Sequence, residues 1–166
     1  MTRSARQASR TLLIVGEGDT DVAFLTHIKA LYAPRYCGLA VTLRNARGKG
    51  PENVVHAVMG YSRDRNYTLR AALLDTDLPW PQKICKIAKQ KRISMLGSNP
   101  CLEGLLLDVL GKPVPDHSSK CKRTLRRIFH DDPLQPGSYA GRFPKDVLEA
   151  ARGRVATLHE LLELFP

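Results

Sequence analysis

The sequence predicts an α/β fold: a mostly parallel four-stranded sheet flanked by helices, followed by an all-helical C-terminal segment. Two observations predict it. Four short apolar runs, at 11–15, 39–45, 68–74 and 93–96, alternate with stretches whose apolar residues recur at helical spacing. Beyond residue 112 there is no convincing strand pattern. Strands that alternate with helices form parallel sheets, because each helix carries the chain back across the sheet.

The helices carry their own start and stop signals. The first begins near Thr20, and acids in its first turn suit the positive end of the helix dipole. Pro51 opens the second helix, because proline is well tolerated in a first turn. The remaining helices are predicted at 82–92, after a turn at 98–101 and ending near Gly111, at 120–129, and at 144–165 as one long helix or two short helices divided at Gly153.

The length of 166 residues suits a single domain. We predict a flexible basic arm at 1–10 and one domain at 11–166, which consists of a core at 11–110 and a helical C-terminal extension at 112–166. No run approaches the roughly 18 apolar residues of a membrane helix, and the apolar run after the basic start is too short for a signal peptide. We therefore expect a cytoplasmic protein that does not engage a membrane.

The charge balance points to a polyanionic partner. The chain has 26 Lys and Arg against 16 Asp and Glu, a formal net charge of +10. Such an excess favours a nucleic-acid partner, although one-signed charge also serves solubility. The four cysteines show no zinc-site spacing, so reduced thiols are expected.

Acidic residues follow three of the four predicted strands. Glu17 comes after the first strand, Asp75 and Asp77 come directly after the third, and Glu103 comes just past the fourth. Ligands of open parallel sheets bind beyond the carboxyl ends of the strands, so these acids are expected at one sheet edge. Clustered carboxylates repel one another, and a divalent cation with a preference for oxygen ligands, Mg²⁺ or Mn²⁺, relieves the repulsion.

Each acid also has an ordinary structural interpretation when it is taken alone. Asp75 and Asp77 could cap a turn or a helix, and Glu17 could be a solvated loop acid. Asp21 and Glu103 lie where first-turn helix acids are common. Their shared position at one sheet edge favours the metal-site interpretation over the separate ones.

Basic residues near this edge are candidates for phosphate contacts. Arg44, Arg47 and Lys49 lie in or beside the glycine-rich loop after the second strand, which lacks the pattern of a phosphate-binding P-loop. Lys83 and Lys86 lie on the basic helix at 82–92. All five could contact a nucleic-acid backbone, or could simply be solvated.

Three motifs together resemble the Toprim domain family. Residues 17–21 match its E-G-x-x-D motif, residues 75–77 match its D-x-D motif, and residues 98–103, S-N-P-C-L-E, resemble a segment of standalone RloB-like proteins. The resemblance covers about residues 11–110 and extends to OLD-type Toprim nucleases. It implies a Toprim-like, Rossmannoid fold.

The resemblance also implies an activity. A Toprim nuclease cleaves phosphodiester bonds of DNA or RNA with Mg²⁺, tRNA is one candidate substrate, and RloB-like relatives are linked to phage defence. Glu17 would be the acid/base or metal-binding residue, Asp75 and Asp77 would hold the metal with it, and Asp21 and Glu103 would be supporting metal ligands. A homodimer or a partner protein of a defence system would be compatible with this activity.

Two other functions are open at this stage. The chain could be a non-catalytic basic adaptor that binds nucleic acid or a partner enzyme. It could also be a haloacid-dehalogenase-like phosphatase with Asp75 as nucleophile. That motif needs Thr or Val where Pro79 stands, and its nucleophile follows the first strand rather than the third.

Overall fold

The computed structural model describes residues 9–166. A short 3-10 helix, Pro136–Tyr139, lies between the fifth and sixth α-helices. The strands and α-helices follow one another as β1 (Arg10–Gly16), α1 (Asp19–Tyr32), β2 (Leu39–Asn45), α2 (Gly50–Tyr61), β3 (Leu69–Asp75), α3 (Gln82–Gln90), β4 (Ile93–Ser98), α4 (Leu102–Val109), α5 (Ser118–Ile128), α6 (Lys145–Arg152) and α7 (Ala156–Leu162).

The four strands form one sheet in the order β2-β1-β3-β4, and every pair is parallel. The predicted α/β class with a four-stranded parallel sheet is thereby confirmed. The chain leaves β1 in one direction to form β2 and later returns to pair β3 on the other side of β1. The strand order therefore reverses between β1 and β3, and a crevice opens at their carboxyl ends.

Helices cover both faces of the sheet. Leu13 and Val15 of β1 pack with α2 and α3, whereas Leu12 and Ile14 pack with α1, α4 and the C-terminal helices. Because both faces are buried, the strands are continuous apolar runs rather than alternating ones, as parallel strands usually are. This three-layer arrangement keeps the carboxyl end of the sheet free for a site.

The C-terminal segment belongs to the same core as the sheet. Leu125 of α5, Leu158 of α7 and the rings of Phe129, Tyr139 and Phe143 are buried in one cluster with β1, α1 and α4. Phe24 of α1 lies against two of these rings, with centroids 5.6 and 6.3 Å away. Residues 112–166 are thus an integral part of the sheet's larger helical layer.

At most helix and strand ends, the predicted boundary lies within one or two residues of the observed one. Arg10 already belongs to β1, and residues 1–8 of the predicted arm lie outside the described part of the chain. The division at Gly153 is confirmed, because α6 ends there. The 3-10 helix lies in a stretch predicted as loop. Within residues 9–166, no helix has both the length and the apolar character needed to cross a bilayer.

Candidate functional site

An open cleft of about 960 Å³ lies at the carboxyl ends of β1 and β3. It is located where the strand order reverses, which is the usual ligand position in such sheets. Its walls come from the loops after β1 and β2, the end of β3, the starts of α1 and α4, and α5. The charged residues that line it are Glu17, Asp19, Asp21, Asp75, Glu103, Arg47 and Lys122.

Glu17 and Asp75 are joined across the crevice. The Asp75 backbone N–H donates to Oε2 of Glu17 over 2.9 Å, which links the end of β3 to the loop after β1. The carbonyl of Glu17 accepts from the N–H of Gly48 at 2.7 Å. The backbone of Glu17 is therefore tied to the loop after β2, and its carboxylate is oriented by the end of β3.

Asp21 is the most deeply buried acid of the cleft, with 7% of its surface exposed. Its Oδ2 accepts from the N–H of Gly18 at 3.0 Å and so caps α1. Its Oδ1 has no hydrogen-bond partner within residues 9–166. A Cβ on Gly16 would lie 2.8 Å from the Cβ of Asp21, so the absence of a side chain there lets α1 approach β1 closely.

Burial, and to a smaller extent mutual repulsion, raises the pKa values of two acids in the cleft. Burial, with a smaller contribution from the nearby Glu17 and Glu103, raises the pKa of Asp21 to about 7 against the lowering effect of the Gly18 N–H. Burial likewise raises the pKa of Asp75 to about 8, with additional repulsion from Asp21, Glu17, Asp77 and Glu103. Negative charge in this cleft is thus costly unless a cation compensates it.

The S-N-P segment braces the loop that carries Asp75 and Asp77. The N–H of Thr76 donates to the carbonyls of Ser98 and Pro100, each at 3.0 Å, and the N–H of Asp77 donates to that of Pro100 at 3.0 Å. The Thr76 hydroxyl also donates to Oδ1 of Asn99 at 3.0 Å. The motif therefore acts as a backbone scaffold for the acid loop.

Trp80 holds the acid loop from its other side. Its indole N–H donates to the carbonyl of Asp75 over 2.9 Å, and its ring packs beside Gly97. The sequence presents Trp80 only as part of a Pro-Trp-Pro stretch, and nothing in it indicates this contact.

Asp77 lies at the margin of the cleft rather than in it. The residue is exposed, does not line the cavity, and its Oδ2 accepts from the Ser118 hydroxyl at 3.3 Å. It is near enough to raise the pKa of Asp75. Of the five acids predicted to bind metal, Glu17, Asp21, Asp75 and Glu103 line one cleft, and Asp77 lies beside it.

Of the five predicted phosphate-binding residues, only Arg47 lines the cleft. The guanidinium of Arg44 lies over the ring of Tyr61, 5.6 Å from its centroid. Lys49 is exposed directly before α2, and Lys83 and Lys86 are exposed on α3, which packs on the other face of the sheet. None of these four is among the residues that line the cleft.

Two residues that line the cleft, Lys122 and Asn45, were not predicted from the sequence. Lys122 of α5 belongs to the basic helix predicted at 120–129, but nothing in the sequence places that helix beside the acids. Asn45 ends β2 and donates through its side chain to Oδ1 of Asp19 at 2.5 Å. Their positions depend on tertiary packing, although the strand-end position of Asn45 was a usable signal.

The cleft offers oxygen ligands of the type that Mg²⁺ and Mn²⁺ prefer. The unpartnered Oδ1 of Asp21 is an oxygen that a cation would satisfy. Within residues 9–166, however, no three His, Cys, Asp or Glu side chains are placed closely enough to form a ready-made metal site. The carboxylate oxygens fit such an ion chemically. To surround one ion, the side chains would have to rotate towards one another in the open cleft.

No family model, curated protein or solved structure matches this chain. The Toprim resemblance therefore stays a prediction that rests on the motifs alone.

Proposed function

We propose that this chain is a divalent-metal-dependent nuclease of the Toprim type, which cleaves phosphodiester bonds in DNA or RNA. One observation carries the proposal: four carboxylates, from Glu17, Asp21, Asp75 and Glu103, line a single cleft at the sheet's switch point. Two of them have raised pKa values because of burial and mutual repulsion. Such a cluster favours cation binding, and perturbed carboxylates concentrate at functional sites.

The residues around the cleft have complementary tasks. Arg47 and Lys122 bring positive charge to the acids and would bind the non-bridging oxygens of a phosphate group. Glu17, fixed by the N–H of Asp75, would orient or accept a proton from the attacking water. When bound, Mg²⁺ would be held by Asp75, Asp21 and Glu17 and would supply Lewis-acid stabilisation of the phosphoryl oxygens.

The net charge of +10 supports the substrate class. Lys and Arg on the remaining surface would attract the phosphate backbone and make binding dependent on salt concentration. On the basis of the motif resemblance, the proposal includes action as a phage-defence effector. The protein would act alone, as a homodimer or with a partner protein.

The test is a cleavage assay on tRNA, plasmid and single-stranded DNA with Mg²⁺, Mn²⁺ or EDTA. Wild type should cleave at least one substrate with metal and none with EDTA. Glu17→Gln and Asp75→Asn should each lower the rate by about 100-fold or more, because they remove charge that acts at the reacting phosphate. Asp64→Asn, a charge-matched change at an exposed turn, should cleave at the wild-type rate.

A readout that does not depend on cleavage accompanies this assay. Mg²⁺ should raise the melting temperature of wild type and of Asp64→Asn, because a ligand that binds only the folded state stabilises it. The rise should be smaller in Asp75→Asn. Full cleavage by both Glu17→Gln and Asp75→Asn would refute the assignment of this cleft.

The second candidate is a basic adaptor that binds nucleic acid without cutting it. The absence of a ready-made group of three metal-binding side chains within residues 9–166 favours it. An adaptor would bind nucleic acid equally in Mg²⁺ and EDTA and would leave every substrate intact.

A further inference from the structure

A second cavity of about 510 Å³ adjoins the acidic cleft, and we call it the side pocket. Thr20, Glu103 and Lys122 line both cavities, so the two share a wall. The rest of the side pocket comes from α5 and from the loop that follows it. A ligand that occupies the cleft can therefore extend into the side pocket without leaving the protein surface.

The wall formed by α5 combines charge with apolar surface. Lys122, Leu125, Arg126 and Phe129 follow one another at helical spacing on the same side of α5. Lys122 and Arg126 are one turn apart, about 6 Å along the helix axis, and both are exposed. Leu125 and Phe129, each with 4% of its surface exposed, form the apolar floor between and beyond them, which suits a flat, uncharged group.

The far end of the side pocket is polar and partly negative. His130, Asp131 and Asp132 line it. Oδ1 of Asp132 accepts from the N–H of Leu134 at 3.0 Å, and its other oxygen has no protein partner within residues 9–166. Carboxylates repel phosphate but accept hydrogen bonds from the amino and imino groups of nucleobases.

We propose that the side pocket binds the base and sugar of an unpaired nucleotide adjacent to the phosphate in the acidic cleft. Lys122 and Arg126 hold the backbone, Leu125 and Phe129 contact the base, and the acids at the far end accept from its edge. The substrate is therefore single-stranded or locally unpaired nucleic acid. This inference rests on the proposed function in taking nucleic acid as the ligand.

The dimensions support one nucleotide rather than a duplex. The pocket volume lies within the roughly 300–1,000 Å³ of cavities that enclose small ligands. A base within a duplex is stacked and paired, so it can enter a concave pocket only if it leaves the helix. Single strands offer exposed bases at no such cost.

The experiment measures binding of short fluorescein-labelled RNA and DNA oligonucleotides, single-stranded and as matched duplexes. Fluorescence anisotropy is recorded in Mg²⁺ with Glu17→Gln protein, which keeps the probe intact. Single strands should bind roughly tenfold more tightly than duplexes. Adding Arg126→Ala should weaken single-strand binding about tenfold and should change duplex binding much less.

Two further variants separate the side pocket from general electrostatics. Arg123→Ala removes the same charge from an exposed position on α5 that does not line the pocket, so it should weaken both probes slightly and equally. His130→Trp fills the pocket without removing a formal positive charge, and it should weaken single-strand binding specifically. Thermal melts check that every variant is folded.

Equal loss in Arg126→Ala and Arg123→Ala, or equal binding of single strands and duplexes, would overturn the side-pocket inference. The cleavage assay distinguishes this failure from failure of the proposed function. Cleavage by wild type without the predicted binding pattern would leave the nuclease standing and remove the side pocket. The predicted binding pattern without any cleavage would support the side pocket and refute the nuclease.

Discussion

At the scale of single residues, Asp21 is the most deeply buried acid of the cleft. It is buried in the first turn of α1, and one of its carboxylate oxygens has no hydrogen-bond partner within residues 9–166. Ionising such a group in the folded protein costs more than ionising it in the unfolded chain. The residue therefore opposes folding at neutral pH unless a cation is present.

The sign of the pH dependence follows from this cost. The folded-state pKa values of Asp21 and Asp75, about 7 and about 8, lie above the unfolded values near 3.8. The stability associated with them is fully present below about pH 4 and is lost as the pH rises through 7 to 8. In EDTA, the melting temperature of wild type should therefore fall between pH 5 and pH 8.

Asp21→Asn tests the source of this dependence. At pH 8 in EDTA it should be more stable than wild type by on the order of 1–2 kcal/mol, about 2–8 °C in melting temperature. At pH 5 the two proteins should melt together or the variant slightly lower. Asp64→Asn, exposed after α2, should follow the wild-type curve at every pH. A wild-type melting temperature that stays constant from pH 5 to pH 8 would contradict this account.

At the scale of elements, the S-N-P segment between β4 and α4 determines the geometry of the acid loop. The carbonyls of Ser98 and Pro100 accept from Thr76 and Asp77. The start of α4 packs directly on this segment, because a Cβ on Gly104 would lie 2.2 Å from the carbonyl oxygen of Asn99. Only glycine allows the first turn of α4, which carries Glu103, to come this close.

Gly104→Ala should therefore destabilise the protein by about 1–3 kcal/mol, the usual cost of overpacking, through displacement of the S-N-P segment. Gly60→Ala is the matched control: it lies in α2 with nothing within 4 Å of the added Cβ, so alanine should stabilise by up to about 1 kcal/mol. Urea unfolding measures both. Equal free energies of unfolding in the two variants would show that α4 has room to move.

Local patterns were sufficient to predict the elements and the acids at their ends. The apolar runs that became β1–β4 and the strand-end positions of Glu17 and Asp75 depend only on period and order along the chain. The position of Lys122, the indole hydrogen bond of Trp80 and the outward turn of Asp77 depend on how distant segments pack. Such contacts produce no periodic pattern in the sequence. Lys122 of α5 was therefore not predicted at the cleft, whereas Lys83 and Lys86 of α3 were predicted to contact phosphate and do not line the cleft.

At the scale of the whole molecule, the charge is divided between a negative cleft and a basic exterior. Five acids line the cleft, while the net charge of the chain is +10. Helix α5 lies at the boundary between the two, because its Lys122 and Arg126 line the two cavities. Leu125 and the neighbouring Phe129 border the side pocket and also belong to the main core, together with Cys121.

The C-terminal helices should therefore be required for folding as well as for the site. Removal of 112–166 would expose the apolar face of α1 and α4, including Phe24 and Leu106, which are fully buried in the intact chain. We expect the 1–111 fragment to lack a cooperative thermal transition and near-ultraviolet circular dichroism, since the outer apolar face of α1 and α4 would be left exposed to water.

Single substitutions in and outside the core test whether α7 belongs to the same cooperative unit as the sheet. Leu158→Ala in α7, at a fully buried position, should cost about 2–5 kcal/mol, whereas Leu134→Ala, at a position that is 51% exposed, should cost little. If α7 were an accessory layer, Leu158→Ala would produce a separate early transition and leave the main one unchanged. A single transition shifted to lower temperature is the expected result, because the α7 side chain packs in the same cluster as β1 and α1. A cooperative 1–111 fragment with the wild-type melting temperature would refute the shared core.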